Sequence, residues 1–204
     1  MINLESVEKR NCKIKQKRFG ISAVFEIATS PLYEELYNYK NQLDKIFPNC
    51  FIWYPRWHIT LIRCKSVKNP FEIDSSESFF EQMKTELSEQ PQIKLVNTCN
   101  SVASDGVLRF YFSEIKWLKL EAVNNFYLGK GLQYAIIHTP WIALGNIRAD
   151  RLEDIKLNMD TINDILNKKH LSKICIQTIK FIYYEDILLQ KSQCIGNAIL
   201  GGCI

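Results

Sequence analysis

In Trp53-Tyr54-Pro55-Arg56-Trp57-His58-Ile59-Thr60-Leu61-Ile62 an imidazole and a hydroxyl stand two residues apart, with a guanidinium two residues before them. The run is rich in aromatic and β-branched residues and reads as a strand, on which alternate side chains share a face. That period places Tyr54, Arg56, His58, Thr60 and Ile62 on one face and Trp57, Ile59 and Leu61 on the other. An imidazole holds or moves a proton near neutral pH, and a hydroxyl and a guanidinium donate to phosphate oxygens. His58, Thr60 and Arg56 therefore have the chemistry of a phosphate site, with the Tyr54 ring beside them to stack on a base or bond a phosphate. The plain alternative is a core strand that carries one satisfied histidine.

Other chemistries find little support. No glycine-rich phosphate loop ends in Lys-Ser/Thr, no His-Glu-x-x-His occurs, and no Gly-x-Ser-x-Gly. Leu128-Gly129-Lys130-Gly131 is too short for a nucleotide loop. The seven cysteines are odd in number, scattered, and never spaced as Cys-x-x-Cys, which predicts reduced thiols in a cytoplasmic protein and neither a disulfide frame nor a metal site. Nothing in the sequence calls for a cofactor. The first twenty residues are polar and basic, so neither a signal peptide nor a membrane span is expected. A net charge of +4 permits an anionic ligand without demanding a nucleic acid.

These residues need elements to hold them. With 204 residues, 47% of them hydrophobic, the chain can build one sizeable core or two small lobes. Lys9, Arg10, Lys13, Lys15, Lys17 and Arg18 make residues 1–18 a basic arm, solvated or laid on an anionic polymer. The pattern then predicts a strand (19–28), a helix opened by Ser30-Pro31 (31–47), the motif strand (51–67), a helix with capping-box spacing from Asp74 (74–90) and a strand (92–103). Ser104-Asp105-Gly106 signals a hairpin. Beyond it come a strand (107–114), a helix (115–128), a second strand (133–147), a helix (150–168) whose C-terminal end suits Lys168, Lys169 and His170, and a last long strand (173–189) that residues 191–200 extend. Lys180, Tyr183 and Tyr184 on that strand are within range of a central site. The order of elements repeats, so the expected architecture is a single α+β domain over 1–204. Its two pseudosymmetric lobes, 19–103 and 107–200, would each be an antiparallel sheet with helices, flanking a central cleft.

The motif Trp57-His58-Ile59-Thr60-Leu61, within this element order over residues 19–200, resembles the 2H phosphoesterase superfamily of LigT-like and cyclic-phosphodiesterase-like proteins. The resemblance implies a cleft between two His-x-Thr/Ser strands and action on 2′–5′ or 2′,3′-cyclic phosphodiesters of nucleotides and RNA ends. One imidazole activates the attacking oxygen there, the other protonates the leaving oxygen, and the hydroxyls hold the phosphate. On the matching second strand this chain reads Pro140-Trp141-Ile142-Ala143-Leu144, where family members often read Pro-His-x-Thr-Leu. Trp141 is no base and Ala143 donates nothing, so the second half-site is degenerate, and the indole either stacks on a nucleobase or plugs the pocket. His138 is the candidate replacement; its parity points it away from Trp141 and Ala143 unless Pro140 marks a bulge.

Two functions follow. One is an atypical phosphodiesterase with His58, Thr60 and His138 as its catalytic groups and Tyr54, Arg56 and Trp141 on the substrate. The other is a catalytically inactive relative that binds a nucleotide, cyclic phosphate, RNA end or protein partner. No membrane partner is expected, and the sequence sets no oligomeric state.

Overall fold

The computed structural model describes residues 2–63, 77–118, 120 and 135–201. In chain order the elements are α1 (Leu4–Ile14), β1 (Lys17–Glu26), α2 (Leu32–Ile46), β2 (Phe51–Trp53), β3 (His58–Arg63) and α3 (Glu77–Ser88). Then come β4 (Ile93–Leu95), β5 (Asn97–Val102), β6 (Val107–Phe112), β7 (Ala135–Ile136) and β8 (Trp141–Ile147). The chain finishes with α4 (Leu152–Leu157), α5 (Met159–Asn167), β9 (Ile174–Ile176), β10 (Thr178–Asp186) and β11 (Ser192–Ile199).

Nine strands form one sheet in the order β11-β10-β1-β3-β8-β6-β5, with β2 paired to β8 and β7 to β3. Every pairing is antiparallel, and β4 and β9 make a separate two-stranded ribbon. The architecture is α+β, as the element pattern implies. The sheet, however, does not divide at the 104–106 hairpin. β5 and β6, on either side of that turn, pair with each other, and β10 from the C-terminal half lies beside β1. Pairing follows which strand edges are free, and a short Asp-Gly turn brings its own two flanking strands together first.

One apolar core runs beneath most of the sheet. α2 contributes Leu32, Leu36, Tyr39 and Leu43, all buried on one stripe at helical spacing. α5 adds Ile162, Ile165 and Leu166 and packs against α2 and β5. The expected helix 150–168 is broken at Asn158, whose side chain donates to the Asp154 carbonyl at 2.7 Å and competes with the helical backbone bond there. Residues 115–118 are not helical either. The Ile115 amide donates to the His138 carbonyl at 2.7 Å and the Leu118 amide to the Gln90 side chain at 2.8 Å, so their donors are used across the fold. Residues 119 and 121–128 of that expected helix, the end of the expected motif strand (64–67), the stretch up to Asp74, the expected helix start (74–76) and the strand start 133–134 lie outside the described residues. No helix among the described residues is long and apolar enough to cross a membrane.

Two departures shape the site. First, the motif strand is not continuous: it bends over Tyr54–Trp57, around Pro55, so that β2 pairs with β8 while β3 pairs with β1. Proline has no amide to donate, and the ladder ends there. A bulge follows, with Ala23 opposite Ile62 and Val24 opposite Thr60. The facing therefore shifts beyond Thr60, and Ile62 is buried in the core instead of sharing the His58 face.

Second, the basic segment is no arm. Asn3 caps α1 by accepting from the Ser6 amide at 3.1 Å, and Val7 is fully buried. Asn11 donates to the Ile147 carbonyl at 2.9 Å and accepts from the Ala149 amide at 3.2 Å, which docks the helix on the end of β8. Gly106 completes this dock: its φ of +77° is a conformation that favours glycine, and a Cβ there would come within 2.9 Å of the Val7 side chain. Gly106→Ala is therefore expected to destabilise the protein by about 1–2 kcal/mol, read as a lower urea midpoint with an unchanged slope.

Candidate phosphate-binding cavity

β3 and β8 meet at a single register pair, Ile59 with Ile142, both fully buried. Opposed residues of antiparallel strands project to the same side, and so do the residues on either flank of that pair. His58 and Thr60 from β3 and Trp141 and Ala143 from β8 accordingly line one cavity of about 390 Å³. Tyr54 and Arg56 enter it from the bend.

Hydrogen bonds hold each group in place. The His58 Nδ1 lies 3.1 Å from the Arg56 carbonyl. A carbonyl only accepts, so in this contact Nδ1 carries the proton. Arg56 donates to the Glu26 carboxylate and the Ser192 hydroxyl, and Lys180 Nζ reaches the other Glu26 oxygen at 2.5 Å. Burial works to raise the Glu26 carboxyl, but hydrogen bonds and charge from Lys180 and Arg56 outweigh it and hold the group below its ordinary value. Tyr54 is buried with its hydroxyl accepting from Arg10 Nη2 at 2.9 Å and Nε at 3.2 Å. That burial pushes the phenol up in spite of Arg10, so it stays a neutral hydroxyl.

Across the cavity, the Arg109 guanidinium lies 5.5 Å from the centre of the Trp141 ring system, and Tyr111 is tilted against the same indole at 6.5 Å. Asp105 fixes Arg109 from both carboxylate oxygens, at 2.9 and 2.7 Å. Tyr184 also lines the cavity, its phenol lying over the Cα of Gly20, where any side chain would collide with it.

Of the residues singled out in the sequence, Tyr54, Arg56, His58, Thr60 and Trp141 come together here. His138 does not: it sits exposed on the bend between β7 and β8 and is not among the lining residues. Pro140 stands immediately before β8, in the break between β7 and β8, and His138 remains exposed there. His170 bonds Asn97 at 3.3 Å, away from the cavity, and Lys180 serves Glu26. Arg10, Lys13, Arg18 and Arg109 also line the cavity and went unrecognised as site residues. The spacing of Arg10 and Lys13, three apart on one helical face, was a usable signal; Arg109 carried none.

The sign of the Glu26 shift sets a pH dependence. A carboxyl depressed in the folded state contributes stability above its unfolded pKa and loses it as pH falls through the folded value. Stability attributable to Glu26 is expected to be constant from pH 7 to about 5 and to decline below about 4.5. Denaturant titrations of parent and Glu26→Gln across that range should converge at the acid end and diverge above it.

No protein-family model and no curated protein sequence matches this chain. Among solved structures it is similar to E. coli LigT complexed with 3′-AMP, with a TM-score of 0.49 and 9% identity over 91% of this chain and 99% of that one. A likeness to E. coli LigT complexed with NADP+ has a TM-score of 0.48 and 11% identity, over 91% of this chain and 98% of that one.

Proposed function

We propose that this protein binds a nucleotide or RNA end through its phosphate, with His58, Thr60 and Arg56 on the phosphate and Trp141 beside the base, and that it lacks the paired acid–base groups for fast phosphodiester cleavage. One observation carries the reading: among the described residues, five cationic side chains and no carboxylate line the cavity that holds His58 and Thr60. Such a lining attracts an anion and supplies donors to its oxygens. The volume suits a mononucleotide. Trp141 offers a flat surface, backed by Arg109, on which a base stacks.

Cleavage needs one group to take a proton and a second to deliver one. The cavity holds one imidazole, and the β8 positions flanking the junction carry an indole and a methyl. An indole N–H donates but does not take up a proton at neutral pH. A slower, single-base turnover is the second reading, favoured by the one imidazole that the cavity holds.

Titration calorimetry with adenosine 2′,3′-cyclic phosphate tests the binding role. His58→Ala should weaken it about tenfold or more, the worth of one hydrogen bond to a charged group, and Thr60→Ala by less; equal affinity in parent and His58→Ala would remove His58 from the site. A complementary experiment restores the missing half. Trp141→His with Ala143→Thr places a second imidazole diagonal to His58 across the junction, at least roughly 7–8 Å away between Cα atoms, with room for a phosphate between the rings. That double variant is expected to hydrolyse the cyclic phosphate about a hundred-fold faster than the parent. Parent turnover that survives in the double variant without gain, and vanishes in His58→Ala, would favour the single-base reading.

A further inference from the structure

The cavity's charge is unevenly compensated. Arg56 faces Glu26, and Arg109 is held by both oxygens of Asp105. Arg10, Lys13 and Arg18 complete the cationic lining, and among the described residues none of them has a carboxylate within ion-pair distance. Among the described residues, Arg10 bonds a neutral phenol, Tyr54. All three come from the first eighteen residues, so the surplus positive charge collects on the wall built by α1 and the start of β1.

A solvated basic helix end is the bland explanation, since cations favour a helix C-terminus. It accounts for Lys9, Lys15 and Lys17, which are exposed. Arg10, Lys13 and Arg18 are half-buried and turned to a shared cavity. Gathering three like charges at a partly desolvated wall is unfavourable unless an anion answers them. A cyclic or 2′–5′ phosphodiester brings a single negative charge, which His58, Thr60 and Arg56 already meet. The surplus is unmatched by that ligand.

We infer that the wall formed by Arg10, Lys13 and Arg18 is a second anion subsite, and that the ligand is a nucleoside carrying a chain of two or more phosphates. The inference rests on the phosphate-binding reading of the His58 cavity and adds to it a ligand class. Arg10 has two functions in it: it ties α1 to the bend at Tyr54, and it presents its remaining donors to the phosphate chain. Lys13 and Arg18 act as charges only, which makes them the cleaner sites to alter.

Calorimetry on the full chain, with adenosine 5′-triphosphate and adenosine 2′,3′-cyclic phosphate as paired probes, distinguishes the two levels of the proposal. For the parent, the triphosphate should bind at least tenfold more tightly and lose affinity more steeply with added salt. Lys13→Gln with Arg18→Gln should cut triphosphate affinity at least tenfold more than cyclic-phosphate affinity, and an equal loss for both probes would overturn the second subsite, whereas His58→Ala should weaken both. Far-UV circular dichroism and the urea midpoint of the double variant check that α1 remains folded, and Lys13→Arg, which keeps the charge, should retain triphosphate binding. Equal affinity of the parent for both probes, or a triphosphate affinity indifferent to Lys13→Gln with Arg18→Gln, would overturn the second subsite and leave the His58 cavity standing. Failure of the parent to bind either probe would overturn both.

Discussion

The site depends on a junction one residue pair long. Ile59 and Ile142 close the sheet across β3 and β8, and nothing else in the register joins those two strands directly. Both isoleucines are fully buried, so their attachment to the core is apolar, while their immediate neighbours face the cavity. No ladder at all would leave the two strands free to part. Trp57 spans the same seam on the buried side, its indole donating to the Leu144 carbonyl at 3.1 Å.

Around that junction the polar groups come in tiers. His58 is oriented by a carbonyl two residues back in its own chain, which needs no distant partner. Arg56 is held by groups from β1 and the start of β11, and Arg109 by the hairpin turn that precedes it. His58 thus has one local hold, while Arg56 is held by distant strands and Arg109 by its own hairpin. That difference explains what sequence reading recovered. His58, Thr60, Arg56 and Tyr54 lie within seven residues of chain and reveal themselves by alternation; Trp141 reveals itself by its place in the second strand.

The other members of the site were hidden because no local pattern encodes them. Arg109 belongs to the cavity because β6 runs beside β8, a neighbour relation that the hairpin does not state. The basic segment looked like an arm because its composition is polar; a single fully buried side chain, Val7, and two Asn11 bonds to the end of β8 were enough to dock it. Most elements lay where hydrophobic periodicity placed them, since burial of one face is what periodicity records. The breaks did not, for three separate reasons: a proline without an amide at 55, an asparagine that bonds its own helix at 158, and amides at 115 and 118 used by distant acceptors. The continuity of the sheet across the 104–106 hairpin was not legible either, because repeated element order says nothing about which strand edges meet.

That interleaving bears on how the chain reaches its fold. β1 can pair with β3 as soon as residue 63 exists, but its other edge has no partner until residues 178–186 have been made. During synthesis the strand that carries Arg18 and Ser22 therefore stands as an open edge while well over half of the chain follows, and an open edge invites pairing with the wrong neighbour. Closure of such a long loop is slow compared with the local hairpin of β5 and β6. The half of the sheet built from β5, β6 and β8 can assemble early, and α1 with Arg10 and Lys13 can dock on the end of β8 at that stage. The cavity wall is thus joined from two parts of different age in the chain, because β1 with Arg18 gains its second neighbour only when β10 has been made.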